Sequence, residues 1–321
     1  MQGKPRQISH LLVREFFQKH GPSLGMELLV CEAGLDRQIS EPTVNRPGLA
    51  LAGFFTYFAK RRIQVLGNSE MSYMKNLSPN SRAERFAAMC NAGIPCLVIS
   101  RGARIEKKLL DSAVEAGISV FSSPMVTMNF ISQATLKLEW EFAPVTSEHG
   151  CMVDLRGIGV LVKGESGTGK SEAALGLVER GASLVSDDLV HLRLFGGELM
   201  GTAPPLGRAI MEVRGLGLIN VISLFGVGAL RMEKRLDFIV SLRPASALNE
   251  VDRLGARRET MEILGVPIPH VELPVAPGRD MARLIEVAAL NEKLRSFGYD
   301  VAEDFNRRLL ELMSGNDSAM R

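Results

Sequence analysis

Apolar and polar positions alternate along this chain with two periods, near 3.6 and near 2, and the switches between them outline the elements. Ile8 to His20 carries its apolar residues at helical spacing, whereas Glu27 to Cys31 and Cys96 to Ser100 are short runs that predict strands. Ser81 to Asn91 and Ile105 to Ala116 return to helical spacing, and Ser119 to Ser122 predicts a strand before the turn signal SSP at 122–124. A long helix is expected from Val126 to Phe142, ending before Pro144. These elements make a small α/β unit, and the spacing places a boundary near 130, separating an N-terminal α/β domain (1–130) of unclear role from a C-terminal domain (131–321).

Beyond that boundary, CMVDLRGIGVLV (151–162) reads as a hairpin turning at Arg156 and Gly157, and Val160 to Val162 as a strand. Glu172 to Arg180 is a helix closed by Gly181. Residues 182–190, ASLVSDDLV, predict a short strand ending at Asp187 and Asp188, and MEVRGLGLINVISLFG (211–226) reads as a strand with a bulge followed by a helix.

With 321 residues and 46% hydrophobic composition, the chain can fill two cores. A net charge of +2 and 6% aromatics argue against a dedicated nucleic-acid binder, which needs a basic face and stacking rings. The charge is unevenly divided: residues 1–133 hold 16 Lys and Arg against 10 Asp and Glu, and the remainder holds 22 against 26. A basic first half suits an acidic partner, the other half of the chain, or simply a solvated surface. The four cysteines show no CxxC pair, so reduced thiols are expected rather than a zinc site. Lys4, Arg6, Arg14, Glu15 and Lys19 interrupt any signal-peptide core, and no 18 apolar residues run together, so a soluble cytoplasmic protein without a membrane partner is expected.

The chemistry concentrates in Gly164 to Ser171, GESGTGKS, which matches GxxxxGK[ST] between a strand and a helix. Such a loop wraps its backbone N–H groups around phosphates, which is why Gly164, Gly167 and Gly169 punctuate Glu165, Ser166 and Thr168. Lys170 would reach the β- and γ-phosphates of ATP, and the Ser171 hydroxyl would ligate Mg²⁺. Asp187 and Asp188 are adjacent carboxylates, costly together unless a cation or a proton is shared; the plainer alternative is a polar strand end or a helix cap. In P-loop folds the strand beside the loop strand ends level with the phosphates, so the pair is expected to meet Mg²⁺ and the nucleophile. Glu212 and Arg214 would suit a second metal ligand and a phosphate clamp, although the stretch read alone is equally a strand and a bulge. His149 has no partner in its spacing, and a lone histidine is more often structural than catalytic.

Taken together, GESGTGKSE, the DD pair and EVRGLGLINV (212–221), in that order, resemble the HPr kinase/phosphorylase family. His149–Gly150, DRLG (252–255) and PVAPGRD (274–280) extend the resemblance across about 145–300. The resemblance implies a P-loop kinase domain on a mixed sheet, like the nucleotide-binding half of phosphoenolpyruvate carboxykinase, and a homohexamer assembled through catalytic domains. It implies ATP-dependent phosphorylation of a serine on the small phosphocarrier protein HPr or an HPr-like protein. The reverse reaction would use inorganic phosphate and release pyrophosphate. By motif, Asp188 is the base with Asp187 beside it, Lys170 binds phosphates, Ser171 and Glu212 serve Mg²⁺, and His149 and Arg253 complete the centre. Pro274, Val275, Gly278 and Arg279 match a loop tied to dephosphorylation. Ala276, Pro277 and Asp280 depart from the family's basic residue and asparagine there, which bears on the reverse reaction and leaves the kinase untouched.

Two other functions share the loop. A carboxykinase-like small-molecule kinase would hold its substrate in a closed pocket lined by arginines or lysines, and a non-catalytic ATP-sensing regulator would not need Asp188.

Overall fold

In the computed structural model, which describes residues 5–244 and 259–317, the chain divides into two units, Gln7–Ala143 first and Pro144 onward, joined by Pro5 and Arg6, second. The first holds a five-stranded sheet in the order Glu27–Val30, Ser119–Ser122, Cys96–Ile99, Ile63–Leu66, Val44–Asn45, parallel except at its first strand. Its three inner strands are buried on both faces, as expected of parallel strands under helices, whereas the edge strands Glu27–Val30 and Val44–Asn45 are partly exposed. Cys96, Val98 and Phe121 meet a core with Phe16, Phe130 and Leu138, while Leu97, Ile99 and Val120 meet another with Phe86, Met89 and Leu109.

Two sequence expectations shift here. The first helix starts at Val13 rather than Ile8, because Leu11–Leu12 pairs as a strand with Gln38–Ile39 and the Glu15 carboxylate accepts from the Leu12 N–H at 3.1 Å. The boundary lies at 143/144 rather than near 130 because the helix Thr127–Phe142 sends Phe130, Ala134, Leu138 and Phe142 into the first unit's core.

The second unit contains β1 (Val145–His149), β2 (Cys151–Leu155), β3 (Ile158–Gly164), α1 (Lys170–Glu179), β4 (Ser183–Ser186), β5 (Leu189–Phe195) and β6 (Glu198–Thr202). There follow β7 (Ile210–Val213), β8 (Gly217–Asn220), α2 (Val221–Phe225), β9 (Glu233–Arg235), β10 (Phe238–Pro244), β11 (Glu259–Ile263), β12 (Val266–Val275), α3 (Met281–Ser296) and α4 (Val301–Asp317). A six-stranded sheet runs β4-β2-β3-β10-β12-β11, and a four-stranded antiparallel sheet runs β9-β6-β5-β1. The first is mixed: β3, β10 and β12 are mutually parallel, and the other pairings are antiparallel. This is the mixed sheet that the family resemblance implies, not the parallel one a phosphate loop alone suggests.

Alternation decides which layer covers which face. Val153, Val160, Val162, Val240 and Leu242 pack under α1 and α3 through Leu177, Ile285 and Ala289. Met152, Leu161 and Ile239 point the other way and meet Val190, Leu192 and Leu199 of the four-stranded sheet. The hairpin β2–β3 turns at Arg156 and Gly157, with φ of 51° and 88°, as the sequence predicts. Residues 211–226 form a second hairpin, β7–β8, followed by α2, rather than one bulged strand and a helix. Among the described residues no helix is long and apolar enough to cross a membrane.

Candidate active site

Strand direction fixes where the functional loops emerge. The parallel β3, β10 and β12 deliver the phosphate loop after Gly164 and the Pro274–Arg279 loop after β12 to one edge, with Gly164 in register with Leu242 and Leu242 with Leu273. Two strand spacings, about 10 Å, therefore separate the bases of the two loops. The strand bearing the aspartates does not lie beside β3, as a generic P-loop fold would have it, because β2 is inserted between them. Two antiparallel pairings in succession nevertheless leave β4 running with β3, so Asp187 still reaches the same edge.

Within the loop, a Cβ on Gly164 would stand 2.6 Å from Thr168 Oγ1 and 2.9 Å from the Leu242 carbonyl oxygen, so only glycine lets the loop fold over the sheet edge. Gly167 and Gly169 both have φ of 84°. Thr168 Oγ1 and Lys170 Nζ donate to the Glu165 carbonyl oxygen at 2.8 and 2.9 Å, drawing the loop into a ring, while Glu165 and Ser166 are exposed. Arg214, at the end of β7, lies over this ring: a Cβ on Gly167 would be 3.4 Å from its guanidinium.

The adjacent aspartates part company. Asp188 has φ of 64°, a left-handed conformation that aspartate tolerates better than most residues, and its peptide turns the chain from β4 into β5. Asp187 looks inward and accepts from Ser171 Oγ at 3.1 Å, from the Glu212 backbone N–H at 3.0 Å and from the Cys151 thiol. Glu212 thus touches Asp187 through its backbone, and its side chain is exposed. Asp188 looks outward, its side chain 85% exposed, with His149 Nδ1 4.0 Å from its carboxylate and 70% exposed. At that separation the two share a charge contact at most, not a hydrogen bond.

Cys151 carried no signal in the sequence beyond following His149–Gly150, yet it lies fully buried against both Asp187 and Ser171, 3.7 Å from the hydroxyl. Burial and the neighbouring Asp187 carboxylate push its thiol pKa up, so it remains a protonated donor. Of the Pro274–Arg279 loop, Pro274 and Val275 end β12, Gly278 turns with φ of 79°, and Arg279 is exposed. Asp280 caps α3, accepting from the Arg283 N–H at 3.0 Å and pairing with Arg180. Arg253 and the DRLG stretch lie outside the described residues.

Residues 11–138 match the HPr Serine kinase N terminus, and residues 140–309 match the HPr Serine kinase C-terminal domain. This chain belongs to the HPr serine kinase family. It is 44% identical over 285 residues to the HPr kinase/phosphorylase of an Exiguobacterium species, covering 88% of this chain and 92% of that one. To the HPr kinase/phosphorylase of Bacillus subtilis it is 40% identical over 293 residues, covering 91% and 94%. The solved HPr(Ser) kinase/phosphatase of Coxiella burnetii aligns at 32% identity with a TM-score of 0.46, over 50% of this chain and 97% of that one. The protein is accordingly an enzyme of the phosphotransferase class.

Proposed function

We propose that this enzyme phosphorylates a serine of HPr or an HPr-like phosphocarrier protein with ATP. In the reverse direction it removes that phosphate with inorganic phosphate, releasing pyrophosphate. The observation that carries the reading is the exposure of His149 and Asp188 at the mouth of a phosphate loop. A protein surface can reach groups so placed, whereas a small-molecule kinase would enclose them and an ATP sensor would not need the carboxylate.

Loop amides from Gly164 to Gly169 and the Lys170 ammonium would hold the β- and γ-phosphates, with the Arg214 guanidinium above them, and Arg253 is carried over from the family pattern alone. Among the described residues no cluster of three or more His, Cys, Asp or Glu could hold a metal by itself. Ser171 and Asp187, a hydroxyl and a carboxylate in contact, nonetheless fit Mg²⁺, which is usually held by one or two protein oxygens together with substrate phosphates and water. Bound there, with Glu212 nearby, the ion would neutralise charge on the phosphates. Asp188 then takes the proton of the attacking serine hydroxyl as its oxygen bonds to phosphorus. In reverse, an oxygen of inorganic phosphate attacks phosphoserine, the serine oxygen leaves, and Asp188 returns its proton, as microscopic reversibility requires. Gly278 and Arg279 would receive the inorganic phosphate. Assembly as a homohexamer belongs to the same reading and is checked by light scattering.

The deciding experiment incubates the protein with purified HPr, ATP and Mg²⁺ and weighs the acceptor by mass spectrometry. One added phosphate, removed on adding inorganic phosphate with matching release of pyrophosphate, supports the reading. Label passing only to a small molecule, or ATP bound without turnover, overturns it.

A further inference from the structure

The donor and acceptor halves of the site stand on different sheets. The phosphate loop and Asp187 follow β3 and β4 of the six-stranded sheet, whereas His149 ends β1 and Asp188 precedes β5 of the four-stranded one. Directly before His149 is Glu148, whose side chain is fully buried, and directly before Gly164 is Lys163, whose side chain is 19% exposed. Lys163 Nζ donates to Glu148 Oε2 at 2.5 Å, linking the strand that presents His149 to the strand that launches the loop. Glu148 is also in register with Val190, two residues past Asp188.

The geometry points to Glu148 and Lys163 as a positioning pair that holds the acceptor residues His149 and Asp188 at a fixed distance from the phosphate loop. A purely stabilising role fits the environment poorly. Glu148 Oε1 is buried with no hydrogen-bond partner among the described residues, so one carboxylate oxygen is desolvated without compensation. Lys163 Nζ also lies 3.7 Å from the Met261 sulfur, and its charge is felt at His270. Buried pairs of this kind are often matched or bettered in stability by apolar residues, and what apolar residues cannot supply is a fixed register between the groups. Phosphoryl transfer is sensitive to that register, since the nucleophile must stand in line with the transferred group. The assignment rests on the proposed roles of His149 and Asp188.

The test uses the full-length enzyme with Lys163→Met, Lys163→Arg, Glu148→Gln and the double variant Glu148→Leu/Lys163→Met. Thermal stability, affinity for a non-hydrolysable ATP analogue, and kcat and KM for transfer to HPr are read for each. Expected are a kcat for Lys163→Met and Glu148→Gln reduced roughly 10- to 100-fold, with analogue affinity within about twofold, and a smaller loss for Lys163→Arg. The double variant should regain thermal stability and remain slow. Recovery of kcat along with stability in the double variant, or a wild-type kcat in the single variants, overturns the assignment. If the unmodified enzyme transfers no phosphate to the protein acceptor, the functional reading itself fails and takes this one with it.

Discussion

The Gly150 N–H donates to the Asp188 carbonyl oxygen at 2.9 Å, tying together two of the points at which the chain passes from one sheet to the other. The backbone is tight there: a Cβ on Gly150 would stand 2.5 Å from the Val162 carbonyl oxygen, at a φ of 154°. Gly150→Ala should therefore cost about 1–3 kcal/mol, read as a lowered midpoint in chemical denaturation, and transfer to HPr should slow more than nucleotide affinity weakens.

Lys170 is a half-buried loop residue whose ammonium, among the described residues, donates to the Glu165 carbonyl oxygen alone. Lys170→Ala should lower the phosphorylation rate by about 10²–10³-fold or more while leaving the circular dichroism spectrum and melting temperature unchanged. Undiminished turnover in this variant would remove the phosphate loop from the mechanism.

Asp188 serves both directions in the proposed scheme, and Arg279 serves one. Asp188→Asn should depress phosphorylation of HPr and phosphate-dependent pyrophosphate release alike, by roughly 10²–10⁴-fold. Arg279→Ala should impair pyrophosphate release more than phosphorylation. Dephosphorylation that needs no added phosphate and yields no pyrophosphate would mean hydrolysis instead.

Thiol chemistry distinguishes the cysteines. Burial pushes Cys90 and Cys96 up to about 12 and raises Cys151 as well, whereas Cys31 is partly exposed. In the native protein a disulfide reagent near neutral pH should titrate Cys31 alone at an appreciable rate, with the remaining thiols reacting on unfolding. Fast reaction of Cys151 would contradict its burial beneath Asp187.

Acid should weaken the fold through histidines as well as carboxylates. Burial holds His191 and His270 below the ordinary histidine value, with Arg193 acting in the same direction on His191. As pH falls through about 6.5 the unfolded chain binds these protons first, so stability present above that value is lost below it. The urea midpoint should fall between about pH 7.5 and about pH 5.5, and His270→Gln should flatten part of that slope.

What the sequence made legible is what local chemistry dictates. The loop Gly164–Ser171, its flanking strand and helix, and the Arg156–Gly157 turn depend on residues close together in the chain, and they are where spacing puts them. The insertion of β2 between β3 and β4 is a long-range pairing that no spacing encodes. The divergence of Asp187 and Asp188 depends on one positive φ, which adjacency of two carboxylates suggests only as repulsion. Cys151 reads as one more apolar strand position until the fold sets Ser171 and Asp187 against it.

The passage from β4 to β5 through Asp187 and Asp188 has no slack, and that governs where the gene can be altered in length. Asp188 makes this bend with its left-handed backbone, so one codon added or lost here would shift the bend along the chain and carry the two carboxylates away from Ser171 and His149. The turn between β5 and β6, where Gly196 and Gly197 have nothing within 4 Å of a would-be Cβ, carries no such constraint. A reporter peptide spliced there leaves the register of both carboxylates intact.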